Sequence, residues 1–310
     1  TAWSVPHPAA GRKNVGFFQE YILTKQAMDE QLIGTGAFSR VTKFQDPETM
    51  EWRARKTIPI RNLSATCQKA LDREIAISQT LVHPNLVRVH RCERTPDHVC
   101  LVMDLAQGIP LDQYITPNVG LDRRIVRRVF TQLRDVMQYL FMRRITHRDI
   151  KPQNILIDAS RDYHIVLLDF GFAKELDDMH ALSRTMCGTP LYMAPELITG
   201  KLYHNSVDLW SLGCLLYVML FGVHFFKKAN GLPQLLTFLQ ENKHVHAIEA
   251  RKHMLGPHLY HLLTGLCQKD PSKRLLFGTF VTHPWFYEKE TTNNRPMIIP
   301  RYKPSPPIDI

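Results

Sequence analysis

The chain has 310 residues, 44% hydrophobic and 22% charged, a composition that excludes disordered, collagen-like and coiled-coil classes. That length exceeds what one hydrophobic core organises, so two lobes or domains are expected. Lysine and arginine number 39 against 29 acidic residues, and the net charge of +10 suits anionic partners (nucleotides, phosphoproteins, nucleic acid, acidic membranes) without choosing among them. The chain opens on Thr1 with no basic-then-apolar leader, which reads as a trimmed chain, and residues 1–20 read as an N-terminal extension. Strand-like stretches at 30–33 and 40–44 flank a glycine loop, and 52–58 alternates as a half-buried strand does. A helix is predicted over 64–81, with Leu71, Ile75 and Ser78 on one face, followed by short strands at 87–89 and 99–103. Beyond 105 the pattern turns helical, at 122–143, 207–221, 232–241 and 258–267. The apolar run 212–226 is interrupted by Gly213, Gly222 and His224. It falls short of the ~20 residues a bilayer needs, so it reads as a buried core helix and no transmembrane segment is expected. Pro296, Pro300, Pro304, Pro306 and Pro307 make 288–310 a proline-rich tail. Six cysteines with no C-x-x-C pair point to reduced thiols in an intracellular protein, cytoplasmic or nuclear.

The chemistry-bearing residues lie in one order along the chain. Gly34, Thr35, Gly36, Ala37, Phe38 and Ser39 form a loop between two strands, with Val41 just after it. Small residues there let backbone N–H groups approach phosphate oxygens, and strand–loop–strand placement separates the loop from phosphate loops that run strand to helix. Lys56 follows inside a strand, and Glu74 lies in the next helix, so the two can form an ion pair. The run His147, Arg148, Asp149, Ile150, Lys151, Pro152, Gln153, Asn154 comes next, and then Asp169, Phe170, Gly171. Phosphoryl transfer needs a carboxylate near the attacking hydroxyl, oxygen ligands for Mg2+ and cations around the moving group. Asp149 supplies the first, Asn154 and Asp169 the second, and Lys151 and Lys56 the third.

In these motifs the chain resembles a eukaryotic protein kinase over 21–287. Later landmarks agree: Gly188 to Glu196 ending in Ala194-Pro195-Glu196, Asp208 to Gly213, and Asp270 to Arg274. The resemblance implies an α+β bilobal protein kinase fold, with a small β-rich N-lobe at 21–105 and a larger α-helical C-lobe at 106–287. It implies ATP and Mg2+ as cofactors and protein substrates as partners. The nucleotide is expected against Ile33, Val41, Ala54, Met103, Asp104, Ala106 and Leu156 and under the 34–39 loop, with Met103 as gatekeeper. Glu196 is expected to pair with Arg274, and Asp208 to hydrogen-bond the backbone around His147 and Arg148. Lys151 two residues past Asp149 is the serine/threonine pattern, and Thr189 fits the same class. Phe172 after Gly171 is similar to kinases favouring serine, and Gln153 implies no strong demand for arginine upstream of the target. Arg148 and Lys174 are expected to grip a phosphate on Thr185, placed there by an upstream kinase or through a regulatory protein. The segment 185–196 resembles autophagy-initiating and calmodulin-dependent kinases without separating them.

Rival readings rest on less. Ser78, where a bulky apolar residue is usual, and Ser39, where glycine is commoner, are the only support for a pseudokinase scaffold. The late histidines 244, 246, 253, 258 and 261 read as surface residues around a helical hairpin, since no set of zinc spacing completes them. Arg123, Arg124, Arg127, Arg128, Arg143 and Arg144 read as a solvated or anion-docking face, with no signature of specific nucleic-acid binding.

Overall fold

The computed structural model describes residues 30–36, 39–168, 190–201 and 203–288. Two compact units emerge among these residues, one from 30–62 and 89–105, the other from 63–88 and 106–288.

The first unit is a five-stranded antiparallel sheet of order β1-β2-β3-β5-β4. Its strands are β1 (Gln31–Gly36), β2 (Ser39–Gln45), β3 (Trp52–Pro59), β4 (Val89–Arg94) and β5 (His98–Asp104). β3 shows the period that the sequence announced: Ala54, Lys56 and Ile58 are buried, and the residues between them are not. β4 departs from expectation, beginning at Val89 where the predicted strand ends. Half of its residues are charged because it is the last strand of the sheet, and charge on an outer strand discourages edge-to-edge pairing. Arg91 bonds Asp46 at 2.5 Å and Glu93 at 3.0 Å, while Arg55 pairs with Glu30.

The second unit begins with α1 (Ala65–Thr80), capped by Ser64, whose Oγ accepts from the Cys67 N–H. Its buried residues are Leu71, Ile75 and Ser78, the predicted face. The sequence reading runs the small lobe unbroken from 21 to 105, whereas the structure groups α1 with the helical unit. A short α2 (Leu111–Tyr114) precedes α3 (Arg123–Met142), whose cap Asp122 accepts from the Arg124 N–H. A three-stranded sheet, β6 (Ile109–Pro110), β7 (Ile155–Asp158) and β8 (His164–Leu167), has the order β6-β7-β8. Strands this short leave no readable period in the sequence.

Then come α4 (Pro195–Ile198) and α5 (Ser206–Phe221), the latter buried on all sides, so most of the apolar run is a core helix as expected. Gly222 ends it at φ 62, where an added Cβ would stand 2.2 Å from the Thr116 carbonyl oxygen. The rest comprises α6 (Leu232–Gln240), α7 (Lys243–Glu249), α8 (Pro257–Leu266) and α9 (Phe277–Val281). No helix among the described residues is long and apolar enough to cross a membrane.

One histidine expectation is corrected. His244 is buried, its ring edge-on to Trp210 at 5.3 Å, because α7 turns that position inward; His246, His253, His258 and His261 are exposed. Burial pushes the imidazole of His224 down to about 3 and that of His244 down to about 4. Both stay neutral in the folded chain and take a proton on unfolding once pH falls below the ordinary value of 6.5. The unfolded state then binds more protons, so stability is whole above that value and is lost as pH falls towards 4, by about 1.4 kcal/mol per pH unit for each histidine. Melting temperatures should step down from about pH 7 to about pH 5, and His244→Phe should flatten the slope. Melting that is independent of pH across this interval would contradict the account.

Candidate active site

In the helical unit the segment 143–154 joins α3 to β7, and its backbone is fixed by α5. Asp208 accepts from the His147 N–H at 2.7 Å on Oδ2 and from the Arg148 N–H at 2.8 Å on Oδ1, as expected. Burial raises the Asp208 carboxyl, although both N–H bonds and the charge of Arg148 oppose the rise. Arg148 holds φ 67, an uncommon conformation for a residue with a side chain. His147 accepts from the Asp149 N–H on Nδ1, so Nε2 carries the proton and donates to the Leu168 carbonyl at 3.2 Å.

Asp149 is the centre of this segment. Its Oδ2 receives Lys151 Nζ at 2.8 Å and Asn154 Nδ2 at 2.8 Å. The same Nδ2 donates to the Asp149 carbonyl at 2.9 Å. Both donors of the Asn154 amide are therefore turned to Asp149, and its amide oxygen faces away. A hard oxygen in that position is of the kind Mg2+ takes. Leu168 donates its N–H to the Asn154 carbonyl at 2.8 Å. Leu156 lies on the opposite face of β7 from the buried Ile155 and Ile157. Glu74 of α1 stands 3.6 Å from Arg148 Nη1. Glu196 and Arg274 form the expected pair, with bonds of 2.6 and 3.0 Å.

In the sheet unit Lys56 is buried at mid β3, between Val41 of β2 and Leu101 of β5. Ala54 is buried two residues before it, opposite Met103. Ile33 is the odd residue at the irregularity between Leu32 and Gly34, and Gly34 faces Val41. Gly36 pairs with Ser39, whose Oγ lies 2.9 Å from where a Cβ on Gly36 would stand. A side chain at Gly36 would require that hydroxyl to turn away. Thr35 pairs with Arg40 on the same ladder. Asp104 ends β5, bonded by Arg53 at 2.5 Å and by His90 Nε2 at 2.6 Å. Ala106 follows, half-buried, in the other unit.

The other departure, Ser78, leaves no buried hydroxyl unsatisfied: its Oγ donates to the Ile75 carbonyl at 2.8 Å. Ala37, Phe38, Asp169, Lys174, Thr185 and Thr189 lie outside the described residues. Sequence reasoning missed Arg53 and His90 around Asp104, and the Leu168 carbonyl beneath His147. These are contacts between segments that no local pattern announces. Among the described residues no group of three or more histidine, cysteine or acidic side chains is placed to hold a metal ion by itself.

Comparison with known proteins agrees over most of the chain. The protein kinase domain family matches residues 28–286. Serine/threonine-protein kinase ULK3 of Homo sapiens is 32% identical over 269 residues, covering 86% of this chain and 54% of the relative. Serine/threonine-protein kinase atg1 of Dictyostelium discoideum is 35% identical over 280 residues, covering 88% and 40%. Against these relatives the chain spans about half of their length or less. The crystal structure of Rad53 1-466 in complex with AMP-PNP is similar at TM-score 0.68 and 27% identity, over 88% of this chain and 70% of that one.

Proposed function

The chain belongs to the serine/threonine protein kinase family, and from that membership we propose that it transfers the terminal phosphoryl group of ATP to serine or threonine hydroxyls of protein substrates. The observation that carries the reading is the Asp149 carboxylate, with Lys151 and Asn154 drawn onto one of its oxygens at 2.8 Å each. Phosphoryl transfer asks a protein for positioning and charge stabilisation rather than covalent chemistry. Asp149 orients the attacking hydroxyl and accepts its proton; Lys151 and Asn154 fix the plane of the carboxylate that does so. Lys151 also offers positive charge to the moving group. When bound, ATP supplies the phosphoryl group and Mg2+ the charge that neutralises its oxygens. Asn154 and Asp169 would hold the metal.

Lys56 holds the α and β phosphates, with Glu74 as its counter-ion, and the backbone of Gly34, Thr35, Gly36, Ala37, Phe38 and Ser39 covers them. Ile33, Val41, Ala54 and Leu156 give the apolar surface for the base. The backbone of Met103, Asp104 and Ala106 reads its edge. We further propose a preference for serine, supported by Phe172, and no dominant demand for upstream arginine, supported by Gln153. Activation by phosphate on Thr185, gripped by Arg148 and Lys174, is supported by the place of Arg148 directly before Asp149 in the chain. Thr189 lies in the segment that presents the substrate. An upstream kinase or regulatory protein is the proposed partner.

The test is phosphate transfer by the full chain, with Mg2+ and ATP, to an arrayed serine and threonine peptide library. Phosphorylated sites on the chain itself are mapped in parallel. Asp149→Ala should lower the rate by about 10²–10⁴-fold without loss of fold. Transfer that survives this change would overturn the catalytic reading. Dominant arginine selection, or full turnover by Thr185→Ala, would overturn only the finer ones.

A further inference from the structure

β5 ends at Asp104, and its two neighbouring strands reach that residue differently. On the β3 side the backbone ladder extends to the end, with Arg53 as the partner of Asp104. On the β4 side it does not. Val89 pairs with Met103 and Arg91 with Val102, so His90 is an extra residue, a bulge. A bulge re-aims the side chain it carries. Here it brings His90 Nε2 to 2.6 Å from Asp104 Oδ1, the same oxygen that Arg53 Nη1 reaches at 2.5 Å. Arg53 is braced in turn by Glu51 through Nη2. The last residue of β5 is thus held from both sides, by side chains on two strands acting on one oxygen.

Such a clamp adds little to global stability, since the Asp104 side chain is 42% exposed and its ion pair is screened by water. What it fixes is the local direction of the backbone at 103–105. We infer that Arg53 and His90 are positioning residues for nucleotide recognition, holding through Asp104 the backbone groups that read the 6-amino edge of adenine. This rests on the ATP reading above. A hydrogen-bonding edge is sensitive to small displacements of its partners, whereas apolar stacking and phosphate contacts are not. Loosening the clamp should therefore weaken discrimination between nucleotides more than it weakens binding as such.

The experiment compares affinities of the full chain for ATP and for purine riboside triphosphate, which has the same sugar and phosphates but no 6-amino group. Arg53→Met and His90→Leu should each raise the Kd for ATP about fivefold and leave that for the analogue within about twofold. Turnover at saturating ATP and the KM for peptide should stay at the parent values. His90→Gln, whose amide can donate from a similar place, should recover most of the preference for ATP. Because both donors share one oxygen, the double variant should lose less than the two single losses combined. If Arg53→Met melts well below the parent, Arg53→Lys decides, since it keeps charge and stem and should show an intermediate preference. Equal loss for both nucleotides, or an unchanged preference for ATP, refutes the positioning role alone. A parent chain that binds neither nucleotide refutes the kinase reading and this inference with it.

Discussion

Replacing Arg274 by Met is expected to cost about 3–5 kcal/mol of unfolding free energy, because it leaves a buried carboxylate without its cation. The Arg274 side chain is fully buried and that of Glu196 is 3% exposed. The guanidinium reaches both Glu196 oxygens and also donates to the Ser206 carbonyl at 2.8 Å and the Gln268 carbonyl at 3.1 Å. Glu196→Gln should cost less, since the amide still accepts from Arg274 and both backbone carbonyls keep their donor. The double change Arg274→Met with Glu196→Leu should recover part of the loss, as apolar replacement of a buried pair does elsewhere. Urea denaturation with an unchanged slope checks the series, and a single-variant cost below about 1 kcal/mol would refute it. The consequence for function follows from location. Glu196 lies in α4, next to Ala194, which packs in one cluster with Trp210, Phe226 and Leu235. If the segment around Thr189 presents the substrate as proposed, loss of the pair should raise the KM for peptide before it alters the KM for ATP.

Legibility in the sequence followed the range of the contacts. β3 and α1 were readable because their periods are local: Ala54, Lys56 and Ile58 alternate, and Leu71, Ile75 and Ser78 recur at helical spacing. α5 was readable because its interior placement makes nearly every position apolar or small, Asp208 excepted. β4 was misread because an outer strand obeys solubility before hydrophobic alternation, so His90, Arg91, Glu93 and Arg94 concealed it. His244 was misread because burial of one imidazole depends on what packs against α7, here Trp210, which is remote in sequence. At the site, the identities Asp149, Lys151 and Asn154 were legible from their spacing. The convergence of Lys151 and Asn154 on a single oxygen was not, because it depends on the turn between them. The clamp on Asp104 was illegible altogether, since a bulge at His90 is a property of strand register.

Asp208→Asn should reduce turnover about 10²-fold although it replaces none of the proposed catalytic residues, because a small misplacement of a catalytic group is enough for such a loss. The two Asp208 oxygens each accept one backbone N–H, from His147 and from Arg148. An asparagine can accept only one of them and turns its own N–H2 towards the other, so donor meets donor. The stranded N–H costs about 1–3 kcal/mol if it stays buried, and the loop escapes that cost by moving. Arg148 is the residue that moves most readily, because its φ of 67 is held only while the surroundings over-determine it. Asp149 follows directly in the chain, and its N–H bond to His147 Nδ1 ties it to the same turn. Rotation at Arg148 therefore swings the Asp149 carboxylate away from Lys151 and Asn154. Turnover at saturating ATP and peptide is the decisive measurement, read beside the melting temperature. A lowered melting point with turnover within about twofold of the parent would show that the carboxylate supports the fold but does not aim the loop.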